Sequence, residues 1–309
     1  MRLADKTVER ILGFLALSSI VALASITFFI FREGAPLVAK VGFDNFLSGD
    51  WHPTAGRFGI AYMIVGSAAV TLGALAFGVP LGIACAVVLG EMAPPRAQLV
   101  LKPSIEILAG IPSVVYGFMG IALVMPWIRE RLGGPGASGL AGAVILGVMI
   151  LPTIIAISLD ALQAVPRSYR EGSLAMGATE WQTTWRVVLP AARSGIVAAV
   201  ILGIGRAVGE TMAVVMVTGN AVQLPHTPLD PLRTLTANMA LEMAYAAGDH
   251  RDALFATGIV LFLVIIVLNS IAGLVRSGLG KPRARAARRG ASEARLSHAG
   301  GVDSTAVTR

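Results

Sequence analysis

The chain has 309 residues, of which 55% are apolar and only 14% charged, and its mean hydropathy is +0.74. A soluble globular chain carries about a quarter charged residues, so this composition excludes an ordinary water-soluble fold and makes lipid the solvent. The formal net charge of +7 does not describe a nucleic-acid-binding face, because the cations fall between apolar runs and in the C-terminal tail, where a membrane protein uses them for orientation.

A helix needs about 20 apolar residues to cross the hydrocarbon core. Six stretches meet that need: 11–31, 61–89, 107–127, 138–159, 195–218 and 253–275. They must be helices, since every backbone polar group in lipid needs an internal partner, and the short alternating strands of a membrane barrel are absent from the sequence. The expected fold is therefore all-α, an integral membrane protein of about six transmembrane helices. The first stretch follows Arg2, Lys6 and Arg10, and Ala22-Leu23-Ala24 imitates a signal cleavage site. The apolar run nevertheless continues through Phe28, Phe29, Ile30 and Phe31, longer than a signal core, which predicts an uncleaved helix. The second stretch is long enough to tilt or to extend past the bilayer. Pro80, Pro112 and Pro152 each remove a helix hydrogen bond, so kinks are expected there.

Alternate loops carry unequal numbers of Lys and Arg. Seventeen lie in the N-terminal segment, the loop near Arg96 and Lys102, residues 160–193 and the segment from Arg276, against seven in the opposite loops. The bias predicts that both termini are cytoplasmic. Residues 1–280 then form the transmembrane domain, with a long cytoplasmic loop at about 160–193. Residues 281–309 contain almost no large apolar residue and are expected to be a basic, disordered cytoplasmic tail lying against anionic headgroups.

Several chemistries are missing. Cys85 is the single cysteine, and His52, His226, His250 and His298 are scattered outside the apolar runs, which offers no metal site. The chain has no phosphate loop, no H-E-x-x-H and no G-x-S-x-G, so neither nucleotide hydrolysis by that route nor a familiar protease or esterase is expected. Gly203, Gly205 and Gly209 imitate a dinucleotide fingerprint, but no strand precedes them. Their small-residue spacing suits close helix packing instead.

The loop from Arg170 to Gly195 is the first stretch with functional content. Leu174, Ala178, Trp181, Trp185 and Val188 recur at helical spacing, with Glu180, Gln182 and Arg186 off that stripe. This predicts an amphipathic helix, either lying at the membrane interface or docking a cytoplasmic partner. The residues Glu171-Gly172-Ser173, three further residues, Gly177, nine further residues and Val187-Val188-Leu189-Pro190 resemble the E-A-A-x3-G-x9-I-x-L-P loop of ABC-class importer permeases. Gly172 and Ser173 stand in for the two alanines and Val187 for isoleucine. The resemblance implies the type I importer permease fold, with a coupling helix seated on an ATPase subunit and formed by Glu171, Gly172, Ser173, Gly177, Leu189 and Pro190.

The segments SIEILAGIPSVVYGF (104–118), LPTIIAISLDALQAVPRSYREGSLAMGAT (151–179), GIGRAVGETMAV (203–214) and TPLDPLRTLTANMALEMAYA (227–246) look like phosphate-specific permeases, of the PstC type rather than its PstA-type partner. That likeness implies a bacterial cell-membrane subunit paired with a PstA-type permease. Two ATPase subunits would hold ATP and magnesium, and an extracytoplasmic phosphate-binding protein would deliver inorganic phosphate. This chain itself would bind no cofactor and no nucleic acid. A permease for molybdate or sulfate, and a proton-coupled secondary transporter, are the alternatives.

Arg206 and Glu210 lie near the middle of the fifth stretch. Arg at the bilayer centre costs about 2.5–3.5 kcal/mol on insertion scales, and i,i+4 spacing lets the two pair. They form either an ion pair bracing helices or a cationic station on an anion path, where the guanidinium fork matches phosphate. Thr211 adds a hydroxyl that serves either the path or the helix backbone. Asp160 and Glu106 are expected at cytoplasmic span ends, and Trp51, Trp127 and Tyr245 at interfaces or in outer loops.

Overall fold

The computed structural model describes residues 2–271, 273 and 274; the expected tail over 281–309 lies outside them. Helix α1 spans Arg2–Val41 and α2 Phe43–Phe46. A two-stranded hairpin follows, β1 Trp51–His52 and β2 Arg57–Phe58, with Trp51 opposite Phe58. Helix α3, Ala61–Val87, continues as a wider π-turn to Met92. Next come α4 (Pro95–Ala109), α5 (Ser113–Met119), a π-turn and α6 (Met125–Arg131), then α7 (Gly139–Gln163). The loop region holds α8 (Arg167–Ala175) and α9 (Glu180–Thr183), the latter running through a π-turn into α10 (Leu189–Gly209). The chain then forms α11 (Met212–Val217), α12 (Leu235–Glu242) and α13 (Asp249–Ile271).

Among the described residues, five continuous helices are long and apolar enough to cross a membrane, and a sixth crossing exists if α4 and α5–α6 count together. The stretch 107–127 is thus not one helix. Gly110 and Ile111 lie outside regular helix, and Pro112 sits at the N-terminus of α5. Proline cannot donate to a preceding turn, so the helix ends before it and restarts after it. By contrast, α3 and α7 run through Pro80 and Pro152 without ending.

Two further expectations are corrected. The stretch 195–218 is interrupted, because α10 stops at Gly209 and α11 starts at Met212. The stripe from Leu174 to Val188 is not one amphipathic helix either. It is divided between α8 and α9 by a turn at Gly177, whose φ is +85°. A left-handed backbone is open to glycine and strained for other residues. A capping box then starts α9: Gln182 N–H donates to the Thr179 hydroxyl at 3.2 Å, and Thr179 N–H to the Gln182 side chain at 3.1 Å.

The described residues divide into two compact units, one built from residues 2–80, 107–151 and 204–266 and the other from 81–106, 152–203 and those from 267 onward. In the first, residues 42–60 fold inward because Phe46, Trp51 and Phe58 join Leu37, Ile60, Met63, Leu235 and Leu254 in one buried cluster. In a water-facing region each such side chain contributes about 1.5–3 kcal/mol. Helix α1 meets α13 through Phe29 and Phe255, with ring centroids 5.4 Å apart, and at Gly34, where an added Cβ would lie 2.6 Å from the Ala256 nitrogen. Most side chains over 8–31 of α1 are otherwise exposed, as lipid-facing apolar residues can be. In the second unit, Leu159, Leu162, Val188, Ala192 and Ala199 are buried, and α7 meets α10 at Gly195, where an added Cβ would clash with the Ala161 Cβ.

Candidate functional site

The interruption at Glu210 and Thr211 sets the site in the first unit. A helix that stops inside a membrane frees backbone carbonyls and amides, which persist in lipid only if other groups satisfy them. Each is met here. The Glu210 carboxylate accepts from Ala213 N–H at 3.1 Å and so caps α11. The Glu210 carbonyl accepts the Thr236 hydroxyl at 2.9 Å, and the Gly209 carbonyl accepts the Thr211 hydroxyl at 3.2 Å. Glu210 also lines a narrow cleft with Ser67, Thr71, Thr234 and Thr236. Thr234 and Ser67 have structural duties there, accepting Ala237 N–H at 3.2 Å and Leu235 N–H at 2.9 Å.

Arg206 lies in the last turn of α10, not in mid-helix, because the helix ends three residues later. No ion pair joins it to Glu210 among the described residues, so the expected i,i+4 pair is not formed. Glu210 has left the helix and its carboxylate faces α11 instead. The guanidinium is partly buried, and its Nε is enclosed with no hydrogen-bond partner among the described residues. A cation so placed, beside a break where the Glu210 carboxylate and the Thr211 and Thr236 hydroxyls are engaged with the backbone, can receive an anion without first releasing a partner. Thr211 spends its hydroxyl on the backbone.

A second cluster in the same unit carries no signal in the linear sequence. Glu242, 6% exposed, accepts from Arg233 Nη1 at 2.6 Å, Trp51 Nε1 at 3.0 Å and His250 Nε2 at 2.8 Å. Arg233 also donates from Nε to the Asn220 carbonyl at 2.9 Å and from Nη1 to Asn238 Oδ1 at 3.0 Å. Trp51 is therefore a buried donor, not an interfacial anchor, whereas Trp127 and Tyr245 are exposed. Arg233 and Glu242 stand nine residues apart at opposite ends of a helix, a spacing that announces nothing until α12 is folded. On the hairpin nearby, hydrogen bonding from His52, aided by the Arg57 charge, holds the Asp50 carboxyl below its usual range.

In the second unit the loop residues fall into two short helices. Glu171 and Gly172 lie on exposed turns of α8, and the Ser173 hydroxyl meets the Thr183 hydroxyl at 2.9 Å, tying α8 to α9. Leu189 and Pro190 open α10. Around Gly177, Met176 is 89% exposed, and Trp181 and Trp185 stack edge to face at 5.4 Å while both remain half exposed. Asp160 pairs with Lys102 at 3.0 Å, and Glu106 is exposed. No metal-binding cluster occurs among the described residues.

Comparison with known proteins follows the same lines. Residues 78–281 match the family described as binding-protein-dependent transport system inner membrane component. A probable ABC transporter permease, YqgH of Bacillus subtilis, is 43% identical over 266 residues, covering 82% of this chain and 86% of the relative. The phosphate transport system permease protein PstC of Pasteurella multocida is 34% identical over 264 residues, covering 79% and 82%. A chain of a bacterial alginate ABC transporter, solved with its alginate-bound periplasmic protein, superposes with a TM-score of 0.59 at 16% identity, covering 86% of this chain and 96% of that one. That likeness shows a shared type I importer permease fold.

Proposed function

Because the chain belongs to the family of binding-protein-dependent transport system inner membrane components, and so is a multi-pass permease subunit of an ABC importer, we propose that it is the PstC-type subunit for inorganic phosphate. The observation that carries the reading is Arg206, a guanidinium with an enclosed, unpartnered Nε at a helix break. The planar fork of arginine matches phosphate oxygens. Relatives named as phosphate permeases support the choice of anion. Arg206 is the station for the anion, Glu210 keeps the break open for it, and Thr211 secures the backbone beside it.

The loop carries the connection to ATP. Glu171, Gly172, Ser173, Gly177, Leu189 and Pro190 form the ATPase-facing element, with the exposed Met176, Trp181 and Trp185 as its apolar contacts. Two ATPase subunits bind and hydrolyse ATP with magnesium, a PstA-type permease completes the pore, and an external phosphate-binding protein delivers the anion. Nucleotide binding moves the loop, and the continuous stretch Glu180–Gly209 links the loop along the chain to the residues of the break. Hydrolysis resets the cycle.

Reconstitution of the chain with these partners in proteoliposomes tests the proposal. ATP hydrolysis and uptake are expected to rise with phosphate and the loaded binding protein, and not with sulfate or molybdate. Stimulation by sulfate or molybdate alone would reassign the anion, and uptake without ATP would point to a secondary transporter. The bias in Lys and Arg also predicts cytoplasmic termini. Reporter fusions after Lys281 and within residues 221–250 should read opposite sides, and an external C-terminus would overturn that orientation.

A further inference from the structure

Arg170 precedes the ATPase-facing residues and makes the densest set of contacts in the second unit. Its Nε and Nη2 bind both oxygens of Glu91 at 3.0 and 2.6 Å. Nη1 donates to the Val165 carbonyl at 2.8 Å, and Nη2 to the Leu162 carbonyl at 3.0 Å. The Glu91 side chain is 9% exposed and that of Arg170 23%. Three elements thus converge on one guanidinium: the π-turn that ends α3, the Leu162 carbonyl in the last turn of α7 with the Val165 carbonyl of the link after it, and α8 itself.

The arrangement solves a local problem. The final carbonyls of a helix have no partner within it, and Glu91 is an acid at the end of an apolar helix. One forked cation answers both, and a lysine ammonium could not span the same set of acceptors. Hydrogen bonding to Glu91 raises the Arg170 pKa above its ordinary value. The link from α7 to α8 is short, running through Val165 and Pro166 with local backbone bonds. At its far end α8 is already tied to α9 by the Ser173–Thr183 hydroxyl pair.

We infer that Arg170 is a positioning residue that makes the loop a rigid lever, so that displacement imposed near Gly177 moves the cytoplasmic ends of α3 and α7 instead of being absorbed at Pro166. The inference rests on the proposed coupling to an ATPase. It assigns to Arg170 and Glu91 the transmission of movement, separate from the docking surface around Gly177.

The test uses the full transporter, with partner permease, ATPase subunits and binding protein, in proteoliposomes supplied with labelled inorganic phosphate. Glu91→Gln, Arg170→Lys and Arg170→Gln are compared for ATPase recovery, ATP hydrolysis and phosphate moved per ATP. Glu91→Gln and Arg170→Lys keep the size of the site and serve where Arg170→Gln fails to assemble. Recovery is expected near that of the unmodified complex, while phosphate per ATP falls about tenfold, the size of a typical coupling between sites. Arg170→Lys should keep more coupling than Arg170→Gln. Gly177→Trp, which forces a side chain onto a left-handed backbone, should instead lose ATPase during purification. An unchanged ratio of phosphate to ATP in assembled Glu91→Gln and Arg170→Lys complexes would reduce Arg170 to a brace of the fold and overturn the inference. So would loss of ATPase in both, since that places the pair in docking itself. Failure of the unmodified complex to move phosphate with ATP would overturn the functional proposal and is read from a separate arm.

Discussion

Arg206→Gln is expected to abolish phosphate uptake, by about a hundredfold or more, in a complex that still assembles; removing a group that touches a transferred charge commonly costs that much. Removing one partner of a buried ion pair strands the other charge and costs about 3–5 kcal/mol. Arg206 has no such partner among the described residues, so its replacement leaves no carboxylate exposed to low dielectric. Assembly and transport should therefore separate. Arg206→Lys keeps the charge and loses the fork, and should be impaired but not inactive. Glu210→Gln retains an acceptor for Ala213 N–H and should preserve α11, whereas Glu210→Ala removes that cap at a cost of about 1 kcal/mol. Exchanging the two residues would set an arginine donor against the Ala213 N–H donor, so the exchanged chain should fail at the break itself. Purification of each complex, with subunit recovery measured beside phosphate uptake, checks the set. Loss of assembly in Arg206→Gln parallel to the loss of uptake would make Arg206 a structural residue.

Arg233→Ala is expected to give the largest loss of stability. Glu242 is buried and would keep only Trp51 and His250 as donors, so the stranded carboxylate should cost about 3–5 kcal/mol. Replacing both ends with apolar residues, Arg233→Met with Glu242→Leu, should cost less than either change alone, because no unpaired charge is left. Trp51→Phe retains the ring and loses one donor, for about 1 kcal/mol. Thermal unfolding of the purified complex, with proteolysis of residues 42–60, reads these effects. Uptake should fall in Arg233→Ala as well, because α12 carries Thr236, whose hydroxyl holds the Glu210 carbonyl at the break. A double variant as unstable as Arg233→Ala would mean that the network is needed for its polarity and not for its pairing.

The spans were legible because each is a long apolar run, and a lipid solvent leaves a helix as the only way to satisfy such a run. Breaks inside the runs were harder to read. Pro112 announces one, since a missing N–H is a property of the residue itself. Nothing in Gly209-Glu210-Thr211 does so, because that break depends on Thr236 arriving from a segment 26 residues away. The same distinction separates the two polar clusters. Arg206 stood out as a cation in an apolar run, a signal carried by its immediate neighbours. Glu242 accepts from Trp51 191 residues before it, and Arg170 reaches Glu91 79 residues before it; only folding brings them together. In the loop, periodicity read across Gly177 missed the left-handed turn that splits one stripe into two helices.

Gly34 adds a consequence for how variation in this chain would be interpreted. A Cβ there would meet Ala256 and Phe255 main-chain atoms at 2.6 to 2.9 Å, and a backbone, unlike a flexible side chain, has no rotamer into which to retreat. Even alanine must push α1 away from α13. In a saturation screen the position would therefore tolerate as little as Arg206 does, though it offers no charge, no donor and no reactive atom. Depletion at Gly34 would measure a forbidden volume, and only its indifference to the chemistry of the replacement, with alanine, serine and aspartate failing alike, would tell that volume apart from a binding site.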